Sequence, residues 1–265
     1  GNWQGRELRV NSAGELLRID GGDIDLQVAA VMAGLFFDEG DKKRQIIGGL
    51  APVGTINEFK VDLIRSAEMG WALDGIAAGF DGVGLGAYQQ LPAIAGFSGR
   101  LVVVKDQGWL SIDATDLNVA ALELFPAAMG FDRVSAQIDW RRIGTGLTVN
   151  WQELAIKNSH LSLTSRGNVT LSEGHSPVLR TVVGVDQFDL AQLGRYLPTK
   201  VIPAGVVRWL NGALVSGRLV NTGMIWNGRI AEYPYTQDPD VEGLFVVNGE
   251  VEDALLNYVP GRHQR

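Results

Sequence analysis

Glycine-rich runs can bind phosphate, and this chain has one, but without the structural context that such binding requires. Gly82, Gly84 and Gly86 form a GVGLG run. A phosphate-binding loop needs a strand before it, a helix after it and a parallel βαβ unit around it. The surrounding sequence lacks that pattern, so we interpret the run as a flexible turn between two strands.

Histidine, serine and carboxylate residues give no catalytic pattern either. The three histidines, His160, His175 and His263, show no HExxH or i, i+4 spacing, and no serine lies in a G-x-S-x-G elbow. Asp113 and Asp116 occur among apolar residues, as solvent-facing strand positions do. Cysteine is absent, which excludes disulfides and Cys-ligated zinc. The sequence therefore predicts a protein that is not an enzyme and uses no cofactor or metal.

The composition predicts a globular protein that does not bind nucleic acid. The chain has 265 residues, 46% of them hydrophobic, and a net charge of −7. Its single basic run, Lys42-Lys43-Arg44, is interpreted as a solvated turn between strands, whereas phosphate binding needs larger basic clusters. The sequence shows neither an apolar run long enough for a transmembrane helix nor a signal-peptide pattern. Because residue 1 is Gly, we expect a piece of a longer protein.

Alternation of apolar and polar residues is the main structural signal. Segments near residues 134–141, 147–152, 161–164 and 179–185 each place apolar residues on one face and mostly polar residues on the other. With 34 glycines marking turns, this pattern predicts a mainly β protein with a long antiparallel sheet and a few short helices. The candidate binding residues on the apolar face are Val134, Ala136, Ile138, Trp140, Leu147, Val149, Trp151, Leu161 and Leu163.

Two short helices are predicted near residues 190–197 and 203–214. Pro203 suits a first helical turn, and Val207, Leu210 and Leu214 share one helical face. Helices this short cannot cover the apolar face of a long sheet. Either the sheet folds on itself, or the face holds an apolar ligand.

The tryptophans fit either alternative. Trp109, Trp140, Trp151 and Trp226 lie in strand-like runs, and Trp209 lies in the second predicted helix. Core packing is the first interpretation, because aromatic residues favour strands and bury large areas. Lining of a groove or its rim is the second.

A weakly repeated sequence pattern suggests two units within one continuous segment, residues 1–265. The pattern at residues 99–103 and 113–117, followed by Pro126, recurs at 243–247 and 253–256, followed by Pro260. We assign the first unit to residues 1–130 and the second to 131–265, including the helix at 203–214.

The stretch at residues 195–261 carries a spaced pattern of aromatic, proline and glycine residues. It consists of Tyr196, Leu197, Pro198, Pro203, Trp209, Leu210, Ala213, Leu214, Gly217, Gly228, Pro234, Gly243, Phe245, Ala254, Leu256, Tyr258, Pro260 and Gly261. This pattern resembles that of the YhdP-type AsmA-like proteins of Gram-negative bacteria, and weaker similarity extends upstream over most of the chain. Where that family continues with Trp-Pro, this chain ends in Arg262-His263-Gln264-Arg265, as expected of an excised segment.

The resemblance implies a fold and a function. In this family the sheet curves into an open apolar groove of the repeating β-groove type. It implies that the chain is periplasmic, in a parent anchored to the inner membrane by a part not present here. Its partners would be phospholipid acyl chains, moved between the inner and outer membranes, together with envelope proteins. A non-transporting envelope scaffold that uses β-edge protein contacts is the alternative, and a carbohydrate-binding β-domain is a further one.

Overall fold

The computed structural model describes residues 8–36, 42–66, 70–89, 91–200, 204–233, 235 and 242–257. Within them the chain forms one antiparallel sheet of 12 strands, each beside its neighbours in sequence order. The predicted mainly β fold with an antiparallel sheet is confirmed, and the sheet is open because β1 and β12 are its two edges. The strands are β1 Arg9–Ala13, β2 Leu16–Asp25, β3 Val53–Ser66, β4 Gly70–Leu85, β5 Ala93–Val104, β6 Gln107–Ala120, β7 Met129–Ile143, β8 Gly146–Lys157, β9 Leu161–Leu171, β10 Val178–Asp189, β11 Leu214–Arg229 and β12 Gly243–Leu256.

Successive connections between strands lie alternately at the two ends of the strands. The connections after the odd-numbered strands form the hairpin rim, which includes a 3-10 turn at Ile230–Glu232 after β11. The connections after the even-numbered strands form the helical rim. The helical rim carries α1 Leu26–Phe36, α2 Lys42–Leu50, a 3-10 turn Leu190–Gln192, α3 Leu193–Tyr196 and α4 Ala204–Ala213. None of the helices in the described parts of the chain has the length and apolar composition needed to cross a membrane.

Two of the helical regions were predicted and two were not. The 3-10 turn with α3, and then α4, confirm the predictions near residues 190–197 and 203–214, although Pro203 lies outside the described residues. The interpretation of Lys42-Lys43-Arg44 as a turn is wrong, because these residues begin α2. The start of α1 is fixed by Asp25, whose Oδ1 accepts hydrogen bonds from the backbone N–H groups of Gln27 at 2.8 Å and Val28 at 3.1 Å.

The interpretation of the GVGLG run as a turn is also wrong. Gly82 and Gly84 lie inside β4, and Gly86 follows directly after the strand ends. Gly82 has a φ of 57°, which is typical of a residue that forms a β-bulge. Gly82 and Gly84 therefore mark an irregularity within a long strand, and only Gly86 lies beyond its end.

A similar irregularity recurs in other strands, at levels that differ from one strand to another. In six of the described strands, two consecutive exposed residues separate two inward-facing apolar ones, and each pair contains one carboxylate residue. Asp116 and Glu153 in these pairs have φ values of 55° and 53°. Bulges bend a strand and increase its twist. We call the set of these six pairs the crease. The pairs are 57–58, 81–82, 115–116, 132–133, 152–153 and 186–187.

The hydrophobic core lies at the crease and between it and the helical rim. Two clusters of buried residues form it, one around Ala114, Leu117 and Val134 and the other around Leu161, Phe188 and Leu190. The second cluster is covered by Leu193 and Tyr196 of α3.

Asn158 connects three segments of the helical rim through hydrogen bonds. Its buried side-chain amide donates hydrogen bonds to the Gly130 carbonyl oxygen and to Tyr196 Oη, both at 2.8 Å, while its Oδ1 accepts from the backbone N–H groups of His160 and Leu161. The turn between β8 and β9 is thereby fixed to β7 and to α3.

The division into two repeat units stays a prediction. The echoed residues 99–103 lie in β5 and 113–117 in β6, whereas residues 243–247 and 253–256 both lie in β12. Pro234, Tyr258 and residues 260–265, which carried part of the family pattern, lie outside the described residues.

Candidate functional site

One face of the sheet, which we call the polar face, carries cross-strand ion pairs. Arg18 contacts Asp62 at 2.6 Å, and Arg133 contacts Asp113 at 2.7 Å. The hydrogen bond from the Arg18 guanidinium holds the pKa of Asp62 below its ordinary value, and a further hydrogen bond from Lys60 acts in the same direction. Further pairs on this face are Arg100 with Glu58 and Arg218 with Glu252.

The structure brings all nine predicted binding residues to the opposite face, which we call the apolar face. Directly paired residues in neighbouring strands point to the same side of a sheet. Ile138 pairs with Trp151, and Trp140 pairs with Val149. Three of the nine, Val134, Ala136 and Leu161, are only 6%, 2% and 7% exposed, whereas the other six are partly exposed. Their role in binding stays a prediction.

Two rows of residues cross the apolar face at right angles to the strands. Every member of a row is the register partner of the next one. The first row runs from β1 to β12 through Val10, Ile19, Val61, Ile76, Val103, Gly108, Trp140, Val149, Val169, Leu179, Gly228 and Gly243. The second row runs from β2 to β12 through Gly21, Phe59, Ala78, Leu101, Leu110, Ile138, Trp151, Gly167, Thr181, Trp226 and Phe245.

The rows lie on the hairpin side of the crease and have almost no polar character. Thr181 is the single hydroxyl-bearing residue in them. At about 4.8 Å per strand, the second row is about 48 Å long. Within the described residues each strand makes its main contacts with its sheet neighbours, and the helices contact β2, β3, β9, β10 and β11. The rows are therefore not covered by a second sheet.

Glycine takes part in the rows by making room for the tryptophans. A side chain on Gly108 would collide with the Trp140 ring, so the ring lies directly against the backbone of β6. Trp140, Trp151 and Trp226 belong to the apolar face, whereas Trp109 lies on the polar face and Trp209 is exposed on α4. Neither interpretation of the tryptophans therefore holds for all of them.

Sequence reasoning missed the parts of the rows that lie in β2 to β6 and in β11 and β12. A signal was present in β6, because Leu110, Ile112 and Ala114 alternate with the polar residues Ser111 and Asp113 as clearly as the apolar residues of β7 alternate with theirs. No group of three or more His, Asp or Glu residues that could hold a metal ion occurs in the part of the chain that the structure describes.

The sheet is open, with ion pairs on one face and mainly apolar residues on the other, which is typical of β proteins that present an extended apolar surface. The model of the YhdP protein family matches residues 2–262, and the chain therefore belongs to the YhdP family. The family expected from the sequence pattern is confirmed.

A curated relative supports this membership. The chain is similar to the protein named "Intermembrane phospholipid transporter YhdP" of Escherichia coli (strain K12), with 21% identity over 210 residues, which cover 79% of this chain and 16% of that protein. The matched part is thus about one sixth of the length of that relative. No solved structure matches the chain.

Proposed function

We propose that this chain is a periplasmic segment of a lipid-transporting protein and that its apolar face binds phospholipid acyl chains. The observation that carries the proposal is the pair of rows, which no second sheet covers in the described residues and which continue from strand to strand over about 48 Å. The similarity to the Escherichia coli protein named as an intermembrane phospholipid transporter supports it. In this proposal the parent protein is anchored to the inner membrane of a Gram-negative bacterium by a part not present here.

The energetics of acyl chains in water explain why such a face is useful. At about 0.8 kcal/mol per methylene, a chain of about 16 carbons costs on the order of 12 kcal/mol when it is exposed to water. That cost disfavours the free lipid by about 10⁸-fold to 10⁹-fold. A continuous apolar track removes most of this barrier while the headgroup stays in water. No catalytic group is needed for such a role.

The two parts of the apolar face have different roles in this proposal. The partly exposed residues of the predicted set contact the acyl chains, and the buried Val134, Ala136 and Leu161 support the sheet beneath them. Because the contacts are made to the tail, selectivity among headgroups is low. The proposed contact residues are Ile138, Trp140, Leu147, Val149, Trp151 and Leu163.

Native mass spectrometry with lipid extraction tests the proposal. The protein, purified from a Gram-negative host, should carry about one phospholipid or more per chain. A chain that folds cooperatively and carries no lipid would contradict the proposal.

Contact with an envelope protein is a second candidate function, because the polar face has an apolar patch at the free edge strand β12. Val182, Ile225 and Val246 are register partners in β10, β11 and β12 and are 42%, 41% and 43% exposed. The patch reaches the free edge strand β12, where a partner strand could add to the sheet. Crosslinking from Ile225 in cells would capture an envelope protein if this candidate is correct.

A further inference from the structure

Around Trp151 and Thr181 of the second row, the polar atoms of the apolar face have hydrogen-bond partners. Trp151 Nε1 donates a hydrogen bond to Ser165 Oγ at 3.0 Å, and Ser165 Oγ lies 3.0 Å from Thr181 Oγ1. Thr181 Oγ1 in turn donates to the Arg166 carbonyl oxygen at 3.1 Å. Ser165 and Thr181 are both buried. A lipid lying across this level meets polar atoms that already have partners.

Trp226 is the exception. Among the described residues, its Nε1 is the one buried side-chain nitrogen or oxygen without a hydrogen-bond partner. Trp226 lies in the second row, where it is the register partner of Thr181. A buried donor left unpaired costs free energy, so an acceptor that reaches it binds more tightly than the same ligand without the acceptor.

Aromatic rings pack around the Trp226 side chain. The Trp226 ring stacks on Tyr233 with centroids 5.2 Å apart and meets the edges of Phe245 and Tyr235 at 5.0 Å and 6.3 Å. An aromatic face accepts an N–H more weakly than a carbonyl oxygen does. None of these neighbours carries a charge, so an ionised group would be disfavoured at this position. The environment selects a neutral acceptor attached to an apolar chain.

Tyr233 stacks on one face of the Trp226 ring and is itself loosely held. It is 47% exposed, and its backbone N–H makes a long hydrogen bond of 3.4 Å to the Ile230 carbonyl oxygen. Its hydroxyl has no hydrogen-bond partner among the described residues. Tyr235 is held more firmly, because its hydroxyl donates to the Arg229 carbonyl oxygen at 2.8 Å. Movement of the Tyr233 side chain alone would uncover one side of the Trp226 ring.

We propose that Trp226 Nε1 donates a hydrogen bond to an ester carbonyl oxygen of a bound acyl lipid. An ester carbonyl is neutral and joins the acyl chain to the headgroup region, which matches both requirements of the site. The contact fixes where the acyl chain begins on the second row and makes Trp226 a specificity-determining residue. This inference rests on the proposed function, since it requires acyl lipids on the apolar face.

A comparison of ester-linked and ether-linked phospholipids tests the inference. The two lipids have the same headgroup and chain length, but the ether lipid has no carbonyl acceptor. In competition for the intact chain, the ester lipid should bind about five- to tenfold more tightly, the effect of one net hydrogen bond of about 1 to 1.4 kcal/mol. Trp226→Phe should reduce this ratio to about one while lipid binding persists. Trp151→Phe is the matched control and should keep the ratio, because the Trp151 N–H already has a protein partner.

The outcomes separate this inference from the proposed function. Equal binding of both lipids by the wild-type chain, or an ester preference that survives Trp226→Phe, overturns the role of Trp226 and leaves the lipid-binding face intact. Failure to bind either lipid overturns both. If Trp226→Phe does not fold, the indole N–H resonance of Trp226 in the ¹⁵N-labelled wild-type chain decides. It should shift downfield with the ester lipid and not with the ether lipid, and identical shifts with both overturn the inference.

Discussion

Aspartate substitutions at Ile138 and Val134 distinguish an open apolar face from a closed core. Both residues lie in β7 and face the same side of the sheet, but Val134 is 6% exposed whereas Ile138 is partly exposed in the second row. Val134→Asp loses about 2 kcal/mol of side-chain burial and places an unpaired carboxylate in the core at a cost of several kcal/mol more. The sum approaches the whole stability of a typical protein, about 5–15 kcal/mol.

Ile138→Asp should have a much smaller effect on folding. The carboxylate at this position stays hydrated because no second layer covers the row, so the expected loss is about 1–2 kcal/mol of the free energy of unfolding. Bound lipid should fall strongly, since an acyl chain cannot lie against a hydrated carboxylate without desolvating it. Urea denaturation measures the first quantity, and native mass spectrometry of the folded variant measures the second.

Ile138→Leu and Val182→Asp are the controls for the two aspartate variants. Ile138→Leu keeps the row apolar, and Val182→Asp places a carboxylate on the polar face, so both variants should retain lipid. Unfolding of Ile138→Asp to the same degree as Val134→Asp would show that the face is closed at this position. A folded Ile138→Asp variant with undiminished lipid would show that acyl chains do not lie on the second row.

Two further predictions concern stability. Asn158→Ala should lower the free energy of unfolding by about 3 kcal/mol in urea denaturation, because the buried Asn158 amide makes four hydrogen bonds whose partners, mostly partly buried, would lose them. A loss no larger than that of the exposed control Asn118→Ala would contradict the role given to Asn158. Since the pKa of Asp62 is lowered in the folded chain, its ion pair stabilises the fold above the unfolded pKa of about 4 and loses this effect as the pH falls through the lower folded pKa. Asp62→Asn should therefore be less stable than the wild type at pH 7, and the difference should vanish in strong acid; a difference independent of pH would contradict this assignment.

The strands were predictable from sequence wherever alternation was clean. In β7 and β8, apolar and polar residues alternate over most of the strand, and the structure places Ile138 and Trp151 opposite each other as that pattern implies. The crease was not predicted, because two consecutive polar residues resemble a turn signal as much as a bulge. The recurrence of such pairs, each with one carboxylate between apolar neighbours, was a readable signal in the sequence.

The first two helices were missed for a different reason. Residues 26–36 are almost entirely apolar, so they show no helical periodicity, and α2 begins with three basic residues, which the helix dipole disfavours at an N-terminus. Asp25 immediately before the apolar run was the available helix-start signal. The unpaired Trp226 Nε1 could not be predicted at all, since it depends on how Tyr233 and Tyr235 pack against the ring.

The crease explains how a single sheet can stay folded while part of its apolar face remains open. An uncovered sheet buries too little apolar area to offset the conformational entropy lost on folding. Here the two buried clusters at the crease and the helical rim supply the core, and α3 covers the second of them. The sheet can therefore fold without burial of the rows on the hairpin side. Substitutions at the crease and helical rim should therefore act mainly on stability, whereas substitutions in the rows should act mainly on what the face binds.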